Sequence, residues 1–186
     1  MERRALPPVA KVDAGRPPAG SMRELWHRLE SVARAWPSAY SAAQLTIWVA
    51  SSAAAMLFAV FAVARHRAYQ SKAYDFGFFD QVVWNTSNAD WFQTSFVEYN
   101  FLGQHFEPIL LVFAGFYRLG AGPESMLLAQ SLFVGAAAIP LFYATTRISG
   151  SPGAGITLAL AYLLNPGLHR ALDFDFHPEV MAYPFV

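Results

Sequence analysis

Apolar residues recur along this chain in two ways: at helical spacing near its start, and further on as unbroken runs on the scale of a lipid bilayer. Met22, Leu25, Trp26, Leu29, Val32, Ala33 and Trp36 fall three or four apart, with Arg23, Arg28, Arg34 and Glu30 mostly on other faces, which predicts an amphipathic helix over 21–36. Ser21-Met22-Arg23-Glu24 has the form of a capping box, in which hydroxyl and carboxylate each meet a free amide at a helix start, and Pro37 predicts the stop. Two Trp on the apolar stripe and basic flanks suit a membrane interface, although the same stripe also fits packing on a soluble partner. Residues 1–20, with Pro7, Pro8, Pro17, Pro18, Gly15 and Gly20 among isolated charges, predict a disordered tail.

Ala43 to Ala64 carries no charge and, as a helix, extends about 33 Å against a hydrocarbon core of about 30 Å, which predicts a first transmembrane helix over 43–64. Ala62-Val63-Ala64 has the small-x-small form of a signal cleavage site, but the run is too long and begins too far into the chain for a signal peptide. Residues 65–107 then form a long stretch of aromatic and acidic residues, whose rings favour the headgroup level; within it 75–84 predicts a short helix and 85–90 a turn. Residues 108–119 are apolar but too short to span, as in a re-entrant or interfacial helix. A second crossing is predicted over 124–146, kinked at Pro140, and a third over 152–168 after a turn at Gly150 with Pro152 opening the return. Asn165-Pro166-Gly167 breaks that third helix near its far end and delivers the polar segment 169–179. Residues 180–186 are apolar again and read as the start of a fourth crossing, so that the sequence reads as the N-terminal fragment of an all-α, polytopic transmembrane protein with a long, membrane-apposed first external loop.

Composition agrees: 55% of residues are hydrophobic and sixteen are Phe. The formal net charge is zero and the basic residues are scattered, which leaves no stripe to track nucleic-acid phosphates. With no cysteine, disulfides and thiolate metal sites are excluded, and any metal would rest on His and carboxylates.

The chemistry is concentrated in Tyr74 to Glu107 and Asp173 to Glu179, which the count of crossings places on one side of the membrane. Asp75 and Asp80 lie five apart, about 140° around a helix, so they do not pair on one face. Asp75, next to Phe76, Phe78 and Phe79, is the candidate general base, a carboxylate shielded beside the membrane having raised proton affinity; the alternatives are that Asp75 caps a helix and that Asp80 pairs with a nearby Arg or Lys. His105-Phe106-Glu107 and His177-Pro178-Glu179 repeat one spacing. In an extended segment such a pair points both side chains to one face, toward a divalent ion or a phosphate; a structural role at a helix start is the alternative for each His.

Three blocks, Tyr74-Asp75-Phe76-Gly77-Phe78-Phe79-Asp80-Gln81, Leu102-Gly103-Gln104-His105-Phe106-Glu107-Pro108 and Asp175-Phe176-His177-Pro178-Glu179, resemble the signature blocks of a family of uncharacterised prokaryotic integral membrane proteins, domain of unknown function 2079. That family is similar to the superclass C glycosyltransferases, which take sugar from a polyprenyl-phosphate carrier on the outer face of the membrane and place an acidic base in the first external loop. The resemblance implies a cytoplasmic N-terminus, an external 65–107 loop and Asp75 in the base position. The adjacent Asp-Glu pair of some of those enzymes is absent here.

The expected function is inverting sugar transfer from a polyprenyl-phosphate-linked donor held among membrane lipids. Asp75 would act as base with Asp80 nearby, His105, Glu107, His177 and Glu179 would hold a divalent metal ion or the donor phosphate, and Arg65, Arg67, Lys72 and Arg170 would offset phosphate charge. The rivals are a lipid-linked substrate transporter or flippase, in which the same groups line a path through the bilayer, and a non-catalytic assembly subunit that docks through the aromatic loop.

Overall fold

In the computed structural model, which describes residues 19–186, the first element is α1, Ala19–Arg67. The tail expected over 1–20 lies outside the described residues except for Ala19 and Gly20, which open α1. Pro37 was expected to end a helix, yet it lies within α1. Proline withholds one amide donor and frees one carbonyl four residues back, a local loss that a helix can absorb when it continues on both sides. The chain divides into two compact units, Met1–Ala39 and Tyr40–Val186. The first is described by its helical backbone from Ala19, and the second holds the rest of α1 and every later element.

Within the second unit, α1 buries Ala43, Ile47, Ser51, Ala55, Ala59 and Ala62, spaced three or four apart, while Trp48, Met56, Leu57, Val60 and Phe61 are all more than half exposed. A helix in water turns its large apolar residues inward. Here, Ile47 apart, the large ones face out and the small ones face in, the arrangement of a helix that meets lipid and packs backbone to backbone. A Cβ at Gly135 would lie 2.7 Å from the Ala55 Cβ and 2.9 Å from the Ser51 carbonyl oxygen, so the neighbouring helix approaches α1 closely only because Gly135 has no side chain.

That neighbour is α4, Glu124–Ala136, followed directly by α5, Ala138–Ser149. The helix is interrupted at Ala137, where Pro140 cannot donate to the Ala136 carbonyl. Among the described residues, Ala42–Arg67 and Glu124–Ser149 are the stretches long and apolar enough to cross a membrane. Gly150 ends α5 at φ 68°, its amide bonded to the Thr146 carbonyl at 2.9 Å. The Ser151 hydroxyl accepts from the Ala154 amide at 3.4 Å and Pro152 opens α6, Pro152–Leu163.

At twelve residues α6 is about 18 Å long, too short by itself for the crossing expected over 152–168. Asn165 takes the chain out of it: its side chain accepts from the Gly167 amide at 2.8 Å and starts α7, Pro166–Asp173. The segment expected to open a fourth crossing is a 3-10 helix, Pro178–Phe185. Pro178 and Pro184 each lack an amide donor, which disfavours a regular α-helical ladder there.

Residues 65–107, expected to lie along the membrane surface, contribute to a folded lobe. A π turn, Ala73–Gly77, leads into α2, Phe78–Ser87; a 3-10 turn, Phe101–Gly103, precedes α3, Leu110–Arg118. The turn expected over 85–90 begins only at Asn88, since α2 runs through Ser87. Of the aromatic residues, Phe76, Phe78, Phe92 and Phe101 are buried, whereas Tyr74, Trp84, Trp91 and Tyr99 are exposed. Edge-on ring pairs knit the lobe: Phe78 meets Phe101 at 5.4 Å, and Phe176 meets Phe79 at 5.4 Å and Phe113 at 5.8 Å. Phe176 arrives from beyond α7, so the core itself draws the two chemistry-bearing segments together.

Candidate functional site

Three short segments meet at a cavity of about 440 Å³. The π turn contributes Tyr74 and Asp75, the stretch after the 3-10 turn contributes Gln104, His105 and Glu107, and the segment after α7 contributes Phe176, His177 and Glu179. Five of the side chains picked out by charge and spacing, Asp75, His105, Glu107, His177 and Glu179, therefore share one space, walled by Phe78, Phe79 and Phe96. Asp75 sits in a turn whose Gly77 amide reaches back five residues to the Lys72 carbonyl at 3.2 Å, a widened turn of the kind often found at functional sites. Its carboxylate makes no hydrogen bond or ion pair among the described residues.

Within each His–Glu pair the side chains turn toward each other. His177 Nδ1 lies 3.1 Å from Glu179 Oε1, and His105 Nδ1 lies 3.9 Å from Glu107 Oε1. Among the described residues no three His, Asp or Glu side chains converge as a group able to hold a metal ion. The Oε2 atom of Glu107 is buried with no hydrogen-bond partner. Burial pushes the Glu107 carboxyl above its ordinary value, His105 opposes the shift and Glu179 adds to it.

A pH dependence results. Because the folded protein holds the Glu107 proton more tightly than the unfolded chain does, this group favours folding below the ordinary glutamate value of 4.5, and that contribution is lost as pH rises through its raised folded value. Glu107→Gln should flatten this part of the stability–pH curve and leave the variant more stable than the parent at neutral pH. Unfolding temperatures measured from about pH 4 to about pH 8, a range that starts near the ordinary glutamate value, check it. An unchanged slope would refute the assignment.

His177 is fixed from behind by a residue that charge patterning did not single out. Gln130 on α4 is 1% exposed; its Oε1 accepts from the His177 amide at 2.6 Å and its Nε2 donates to the Asp175 carbonyl at 2.9 Å. Asp175 is itself buried at φ 82°, and its Oδ2 accepts from the Lys72 amide at 2.8 Å. A left-handed conformation is costly for Asp, and these bonds at its carbonyl and carboxylate hold it there. The signal in the sequence was a lone carboxamide within an uncharged, membrane-length run.

The remaining expected site residues separate. Asp80 does not line the cavity; its Oδ1 accepts from the Tyr117 hydroxyl at 2.6 Å, and burial together with Asp80 pushes the Tyr117 phenol far up. A structural partner was expected for Asp80 in an Arg or Lys, and the partner is this tyrosine of α3. Arg65 Nη1 lies 2.9 Å from Asp173 Oδ1 and also donates to the Asp173 carbonyl. Arg67 Nε lies 3.4 Å from Glu124 Oε1. Lys72 places its ammonium 3.9 Å above the Phe174 ring, and Arg170 is exposed on α7. Neither Lys72 nor Arg170 has a carboxylate partner among the described residues.

A family model described as predicted membrane protein (DUF2079) matches residues 65–186, well over half of the chain and all of the cavity. No curated protein matches, and no solved structure matches.

Proposed function

The chain belongs to the DUF2079 family of predicted membrane proteins, and on that premise we propose that the cavity is the site of an inverting glycosyl transfer from a lipid-phosphate-linked sugar, in a multi-pass protein with a cytoplasmic N-terminus and an external site. The observation that carries this reading is the meeting of Asp75, His105, Glu107, His177 and Glu179, from three separate segments, in one aromatic-walled space. Asp75 takes the proton of the acceptor hydroxyl as the acceptor oxygen attacks the anomeric carbon. The bond from that carbon to the phosphate oxygen breaks, and the lipid phosphate leaves with the electron pair. Phe78, Phe79 and Phe96 limit water, which strengthens each charge interaction inside and protects the donor from hydrolysis. The imidazole of His177, which stacks on Phe174 at the edge of the cavity, would donate to a phosphate oxygen with Glu179 orienting it, and the His105–Glu107 pair would face the transferred sugar. A divalent ion bound with the donor would neutralise phosphate charge, the phosphate oxygens completing a ligand set begun by one His–Glu pair.

The test is replacement of the full-length gene by one carrying Asp75→Asn, with membrane insertion and abundance checked, and glycolipids and cell-wall sugars compared by mass spectrometry. Loss of one glycan with accumulation of its lipid-linked donor is the expected result. An unchanged glycan profile at normal protein abundance would remove Asp75 from the mechanism.

A further inference from the structure

A second cavity, of about 660 Å³, lies between α1 and α7, with Leu57, Val60 and Phe61 on one wall and Arg170, Leu172 and Asp173 on the other. Its α1 wall belongs to the outward face of a membrane-length stretch, where Leu57, Val60 and Phe61 are each more than half exposed. Its α7 wall carries charge. Asp173 is answered by Arg65, which leaves Arg170 without a carboxylate among the described residues.

The two cavities are joined along one short stretch of chain. Arg170 and Phe174 are four apart, and the Phe174 amide bonds to the Arg170 carbonyl at 3.1 Å, so their side chains share a face with Cβ atoms about 5–6 Å apart. The Lys72 ammonium rests 3.9 Å above the Phe174 ring, and the Phe174 ring in turn stacks on His177 with centroids 5.7 Å apart. His177 lines the first cavity. The order in space is therefore an apolar groove, two cations without carboxylate partners, an aromatic ring and a polar cavity.

That order complements an amphiphile with a hydrocarbon chain and one anionic group at its polar end. A chain passing from bilayer to groove leaves one apolar phase for another, so the groove supplies shape while the anion supplies selectivity. We propose that the α1–α7 groove seats the hydrocarbon of a lipid monophosphate, with the phosphate held between Arg170 and Lys72 and any group it carries reaching past Phe174 into the first cavity. Only that last clause rests on the transfer reading; the lipid-phosphate site stands without it.

Native mass spectrometry of the full chain in neutral detergent tests the site, with a polyprenyl monophosphate, the matching polyprenol and inorganic phosphate as probes. The monophosphate should bind, with the alcohol and inorganic phosphate weaker by about tenfold or more. The double variant Arg170→Gln/Lys72→Gln and the groove-filling variant Val60→Trp should each lose about tenfold, whereas Arg147→Gln, an exposed cation on another helix, should not. These positions are exposed, and unchanged unfolding temperatures would establish that the variants fold. Equal binding by the parent and the double variant, undiminished binding by Val60→Trp, or inorganic phosphate binding as tightly as the lipid would each overturn the proposal. Lipid binding that depends on Arg170 and Lys72, combined with an unchanged glycan profile in Asp75→Asn, would keep the lipid site and remove the transfer reading. The opposite pair of results would remove the lipid site alone.

Discussion

Gln130→Ala should lower stability by about 2–4 kcal/mol, because it leaves a partly buried amide and a buried carbonyl without partners and opens a gap where the side chain was. The Gln130 amide spans two residues of a strained segment, taking the His177 N–H at 2.6 Å and giving its own N–H to the Asp175 carbonyl at 2.9 Å. The bond to Asp175 is buried and the bond to His177 partly so, and the buried one in particular is not replaced cheaply when it is lost. Gln130→Met keeps most of the volume and removes both bonds, and it separates hydrogen bonding from packing. The local effect should be visible apart from the global one. The chain has no cysteine, so Glu179→Cys gives a single labelling site, and its reaction with a soluble maleimide should speed up when Gln130→Met is added. Denaturant unfolding in detergent measures the stability. Parent-like unfolding and labelling in the Met variant would remove Gln130 as the support of the His177 segment.

The elements legible in the sequence were those whose cause is local. The uncharged run from Ala43 to Ala64 sets a span by length alone, Gly150 and Pro152 fix the α5–α6 turn through one left-handed residue and one fixed φ, and Asn165 with Pro166 both ends one helix and starts the next. What the local pattern does not show is decided by a distant partner. The aromatic loop folds into a lobe because Phe176, far along the chain, inserts between Phe79 and Phe113. Asp80 left the site because Tyr117 of α3 reaches it. Pro37 shows the limit of a local rule: a missing donor predicts a break, but the residues beyond the proline decide whether the helix resumes. The two His–Glu pairs and Asp75 were found by type and spacing, since carboxylates and imidazoles in an apolar chain carry a solvation cost that makes them conspicuous. A neutral amide such as Gln130 carries a fainter mark, its standing alone in an uncharged run.

Gly155→Ala should cost about 1–3 kcal/mol, and Gly155→Val more, by forcing apart the α5–α6 pair. A Cβ at this position would come 2.1 Å from Thr146 Oγ1, 2.8 Å from the Phe142 carbonyl oxygen and 3.0 Å from Phe142 Cδ2. The hydroxyl could rotate away, but the carbonyl belongs to the helix backbone, so one helix has to shift relative to the other. Phe142, Thr146 and Ala159, each no more than 1% exposed, pack around that contact, and a shift loosens all three at once. Gly115 provides the internal contrast. It lies in α3 with nothing within 4 Å of where a Cβ would sit, so Gly115→Ala should gain about 0.5–1 kcal/mol from reduced backbone freedom in the unfolded chain. Denaturant titration of the two alanine variants beside the parent reads both signs in one experiment. If Gly155→Ala unfolds at the parent's midpoint, the backbone-to-backbone contact between α5 and α6 is not what holds that hairpin. If it falls while Gly115→Ala rises, the opposite responses trace to the one difference between the two glycines, the presence or absence of a neighbouring helix where the methyl group must go.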